Sequence, residues 1–144
     1  MPTTADAAAN ALYLAHAALE LVLGMLKLRG RYQHETPGER PPRSAMYVRH
    51  HGFSLLALAY LGAVMWWRGL VNADVGGDVS VVLMLFHGGS IAAFLPAWAA
   101  GAIPTAKLVM PHAPFAFGFL WHVNHLGHDD HRSGLSALMS APFR

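Results

Sequence analysis

His16 and Glu20 stand four residues apart in the apolar run "YLAHAALELV" and so share one face of a helix. An imidazole beside a carboxyl can pass a proton to and from a bound molecule, which is the basis of general acid–base catalysis. His87 lies in a second apolar run, "VLMLFHGGSIAAF", followed directly by Gly88, Gly89 and Ser90. Toward the C-terminal end, "WHVNHLGHDDHRSG" places histidines at 122, 125, 128 and 131. Spacing of three puts His122 and His125 on neighbouring positions of one helix face, compatible with two ligands to one metal. Zinc or iron needs three or four ligands with a supporting shell. His128, Asp129 and His131, or else His16 and His87, are the available sources. The simpler reading of 128–131 is a solvated polar tail, and it is the one adopted. No cofactor is favoured, with zinc, iron or a bis-histidine haem between His16 and His87 as alternatives.

These residues need elements to hold them, and the elements are read from apolar length. Four stretches, 7–28, 52–72, 79–103 and 108–126, are each long enough to cross a hydrocarbon core of roughly 30 Å at about 1.5 Å per residue. The second and third lack the polar stripe that a helix of a soluble bundle carries. The expectation is an all-α integral membrane four-helix bundle, a single domain over 1–144. Pro111 and Pro114 mark the fourth stretch as kinked or partly interfacial. Residues 29–51 read as a long polar surface loop and "ADVGGD", 73–78, as a tight turn. The N-terminus lacks the basic start of a cleaved signal peptide.

Composition agrees with lipid as the solvent: 54% of the 144 residues are apolar and 12% charged. The chain has no cysteine, which excludes disulfides, zinc ribbons and thiol nucleophiles. A formal charge of +2 gives no reason to expect nucleic acid. Basic residues are uneven. Lys27, Arg29, Arg31, Arg40, Arg43, Arg49 and Lys107 fall on one side of the expected bilayer, and Arg68, Arg132 and Arg144 on the other. Positive charge favours the cytoplasm, so both termini are expected outside a plasma (inner) membrane, with 29–51 cytoplasmic. Trp66, Trp67 and Trp121 then meet the outer interface.

Ionisable groups inside a span are costly and usually face the protein interior. Counted along each span, His16 lies about 13 Å, His87 about 12 Å and His122 about 6 Å from the outer end. All three therefore fall in one half of the membrane. A pocket in the outer half, lined by Tyr13, His16, Glu20, Tyr60, His87 and His122, follows, with the small residues Gly88, Gly89 and Ser90 permitting close approach. Its ligand would be a hydrophobic small molecule. If chemistry occurs, it is metal-free proton transfer of an isomerase, epoxide-opening or cyclase type, with Glu20 as acid or base and His16 or His87 its partner. The alternatives are a non-catalytic accessory or structural membrane subunit, in a homo-oligomer or larger membrane complex, and a histidine-ligated metal or haem protein. Membrane di-iron desaturases are disfavoured, because "HH" at 50–51 and the run at 122–131 are expected on opposite sides.

In pattern, the chain resembles the small four-span membrane proteins grouped as DoxX-like. The resemblance lies in "ELVLGMLKLRG", "YVRHHGFSLLALAYLGAV", "VLMLFHGGSIAAF" and "PHAPFAFGFLW", and it covers most of residues 7–126. It implies the four-span fold and brings no functional residue with it.

Overall fold

A computed structural model describes residues 3–29, 42–110 and 112–128. Most of the described residues are helical, with no strand among them. In order, the helices are α1 (Thr4–Leu28), α2 (Pro42–Trp67), α3 (Asp74–Ala99), α4 (Thr105–Val109) and α5 (His112–His128). Contacts gather them into two compact units: one of Met1–Leu12 with Gly69–Arg144, the other of Tyr13–Arg68. The division falls within α1.

Helix ends differ from the apolar runs wherever local chemistry overrides hydropathy. α1 starts at a reciprocal cap: the Thr3 amide donates to Asp6 Oδ2 (2.8 Å) and the Asp6 amide to Thr3 Oγ1 (3.1 Å). α2 begins at Pro42, ten residues ahead of the expected span, so the second half of the long polar segment is helix. Proline suits a first helical position, where its missing N–H has no partner to lose. The expected turn at 73–78 is likewise corrected, because "DVGG" forms the first turn of α3. The chain reverses just before it, with Gly69 at φ 65°. Gly76 is buried with its α-carbon pressed on the Val71 carbonyl, a contact no side chain would permit.

α3 runs past Pro96 and stops at Ala99, four residues short of its apolar run. The Ala102 amide reaches the Ala97 carbonyl (2.9 Å) and the Gly101 amide that of Trp98 (2.9 Å), with Gly101 at φ 72°. This left-handed cap needs glycine and ends the helix there. The expected fourth span, 108–126, is two helices: α4, five residues long, and α5, which opens at His112.

In the first unit α3 packs along α5, the two running antiparallel, around Val81, Leu83, Phe119 and Val123. Gly118 of α5 sits against Leu12, where a Cβ would come within 2.8 Å of the leucine. In the second unit backbone meets backbone at Gly24 and Gly52, each of whose Cβ positions lies within 3.0–3.1 Å of the other's carbonyl oxygen. Higher up, Gly62 lies on Tyr13 and Ala17. Small residues at crossings of this kind let helices close without an aqueous core.

Among the described residues, two helices, Thr4–Leu28 and Asp74–Ala99, are long and apolar enough to cross a membrane. Their apolar side chains largely face outward: Leu14, Leu21, Val22, Val82, Leu85 and Leu95 are all exposed.

Candidate functional site

Polar groups take the interior positions that these apolar side chains leave. In the second unit, His16 and Glu20 have relative exposures of 0% and 2%, with Tyr13 at 0% one turn before. His16 Nε2 lies 3.6 Å from Glu20 Oε1, too long for a direct hydrogen bond. The helical register brings the pair together, and α2 covers it. Gly62 has no side chain to hold α2 away, and a Cβ there would stand 3.7 Å from His16 Nδ1.

In the first unit, two hydrogen-bonded pairs join α3 to α5. Ser80 Oγ and His122 Nδ1 meet at 2.8 Å in a buried contact. His87 Nδ1 and His112 Nδ1 meet at 3.1 Å. Two ring nitrogens can bond only if one donates and the other accepts, so the second pair fixes opposite tautomers on its two rings. The His87 ring is further held by stacking on Phe115 (centroids 5.3 Å, planes 26° apart) and by the edge of Phe86 (5.1 Å, 79°). A histidine fastened at one nitrogen and along its face has a set orientation, as a ligand or proton carrier requires.

The pairs occupy different levels. Ser80 and His87 are seven residues apart on α3, about 10 Å by the helical rise. Leu83 and Phe119, both fully buried, fill the interval. The Ser80–His122 and His87–His112 contacts are therefore separate. Their shared half of the membrane in the span count does not amount to contact.

Tyr60 is 73% exposed and turns away from the interior. Gly89 is exposed, and among the described residues a Cβ at either Gly88 or Gly89 meets nothing within 4 Å. Ser90 Oγ donates to the Phe86 carbonyl at 2.9 Å within its own helix. His122 and His125, whose spacing is compatible with two ligands to one metal, make different short contacts. His125 Nε2 lies 4.0 Å from Asp6 Oδ1, and its ring stacks on Trp121 at 5.7 Å. His131 and the side chain of His128 lie outside the described residues.

His112, Ser80 and Gly62 were not singled out from the sequence. His112, between Pro111 and Pro114, carried a weak signal as a histidine opening a helix. Ser80 and Gly62 carried none beyond small size. His16, Glu20 and His87 each offer a buried nitrogen or oxygen of the type that can hold a metal ion. No protein-family model, curated protein or solved structure matches the chain.

Proposed function

We propose that the chain is a four-span membrane protein that holds a hydrophobic small molecule and moves a proton on it, with Glu20 as acid or base and His16 as its partner. The carrying observation is an inversion of polarity. His16, Glu20, Ser80, His87 and His122 are buried while large apolar side chains of the same helices are exposed. Water would favour the reverse, and lipid favours this arrangement. The resemblance to DoxX-like membrane proteins is in keeping with it. Enclosed acid–base groups next to a hydrocarbon solvent suit isomerisation, epoxide opening or cyclisation of an apolar substrate, reactions that need a placed proton and little else.

The test begins with the small molecule that co-purifies with untagged protein, extracted and identified by mass spectrometry. Incubated with wild-type protein in D2O, it should exchange or take up solvent deuterium at the atom that Glu20 protonates or deprotonates. Glu20→Gln should retain the molecule but slow exchange by about 10²–10⁴-fold, the usual worth of a placed acid–base group. Exchange that is equal in the two proteins would leave the accessory-subunit reading in its place.

A second reading has support in ligand type, since His16, Glu20 and His87 are buried metal-binding groups. Elemental analysis and an absorption spectrum of untagged protein separate the two. About one equivalent of zinc, iron or haem per chain, lost on His87→Ala, would favour a metal protein.

A further inference from the structure

Within the first unit, Asp6 in the first turn of α1 faces His125 near the C-terminal end of α5. Asp6 Oδ1 and His125 Nε2 are 4.0 Å apart. That gap is too wide for a hydrogen bond, which extends to about 3.2 Å. It is the width of one ion, since zinc bonds an imidazole nitrogen at about 2.0–2.1 Å and a carboxylate oxygen at about 2.0–2.2 Å. Contacts elsewhere on each side chain present the two atoms to each other. The Thr3 amide holds Asp6 by Oδ2 at 2.8 Å, which leaves Oδ1 on the His125 side. The His125 ring lies parallel to that of Trp121, with centroids 5.7 Å and planes 3° apart. Relative exposures of 22% for His125 and 26% for Asp6 leave the gap open to water.

His122 stands one helical turn before His125, and Asp6 is within electrostatic reach of both rings. Ser80 Oγ meets His122 Nδ1 at 2.8 Å. A hydroxyl that accepts from Nδ1–H sets the lone pair on Nε2 and fixes the ring, as the outer partner of a metal-binding histidine does. We propose that Asp6, His122 and His125 bind one divalent transition-metal ion, with Ser80 orienting His122 and water in the fourth position. The His122 ring tips toward the pair about its Ser80 bond to complete the set. Two imidazoles and one carboxylate suit zinc, whereas magnesium and calcium take oxygen ligands. The bound ion ties the start of α1 to the end of α5.

The site is separate from the Glu20 chemistry, so its failure leaves the proton-transfer reading intact. Full-length untagged protein, extracted in mild detergent and stripped with a chelator, is titrated with zinc in a calorimeter. Asp6→Asn keeps an oxygen for the Thr3 amide, and His125→Phe keeps a ring against Trp121. Each should weaken zinc by more than about 100-fold, the upper range for loss of a supporting partner alone. Ser80→Ala should weaken it by about 10–100-fold. His50→Gln, an exposed histidine of the second unit, should leave it unchanged. Zinc bound equally by wild type, Asp6→Asn and His125→Phe would overturn the site. So would zinc that survives those two substitutions and is lost on His87→Ala, since it would belong with His16, Glu20 and His87. Magnesium bound as tightly as zinc would show attraction to charge alone and overturn the ligand set.

Discussion

A bond between two histidine ring nitrogens is informative because it is asymmetric. His87 and His112, at 3.1 Å, hold one proton between their Nδ1 atoms, and this decides the tautomer of each ring. His112→Phe keeps an aromatic ring at the position and removes the bond. It should cost about 1 kcal/mol in chemical unfolding, the net worth of a typical hydrogen bond. It should also shift the His87 imidazole nitrogen resonances. Unchanged resonances would mean that the pair is not bonded in the protein. His16 and Glu20, in contrast, are held by the geometry of one helix and need no partner element to meet. That difference explains why the His16–Glu20 pair could be read from residue spacing and the His87–His112 pair could not. An i, i+4 relation is visible in the chain, whereas a contact across 25 residues depends on how α5 lies along α3.

At the scale of helices, glycine positions divide by what faces them. Gly62 is pressed against Tyr13, Ala17 and the ring of His16, while Gly88 faces open space. Gly62→Leu should therefore force α2 off α1 and cost about 1–3 kcal/mol, as overpacking does. Gly88→Leu should be neutral or slightly stabilising, since leucine is the better helix former. Thermal unfolding of both variants checks this. Equal losses would remove the distinction. If Gly88→Leu preserves stability but the co-purifying molecule is lost, the molecule itself occupies the space beside Gly88. The helix ends carry a related lesson. Apolar length located α1 to within three residues but missed the start of α2 by ten and merged α4 with α5. Hydropathy does not register Pro42 as a helix start, nor the break between Val109 and His112.

For the molecule as a whole, the prediction is topological. The chain has no cysteine, so single introduced cysteines report their side of the membrane without background. Thr36→Cys should react only after the cell is permeabilised, and Ser133→Cys should react in intact cells with an impermeant maleimide. The sign follows from six cations in 27–51, since basic segments are retained on the cytoplasmic side. The opposite pattern would invert the orientation, and labelling of both sites from one side regardless of permeabilisation would end the membrane reading. Alkaline washing of membranes provides a simpler check: a protein with four spans stays in the pellet.

Composition and residue order alone determined the helical class, the burial-prone pair at His16 and Glu20, and the charge asymmetry of the chain. Each is a local or summed property, carried by hydropathy, by the helical repeat or by counting. Tertiary structure alone decided that Ser80 meets His122, that His112 holds His87, that Tyr60 points outward and that Gly62 rather than Gly88 is the close approach. These depend on the rotation and register of one helix against another. A shift of a single residue turns a side chain by about 100°, and packing at Gly118, Gly52 and Gly62 selects the register from alternatives that hydropathy leaves nearly equal.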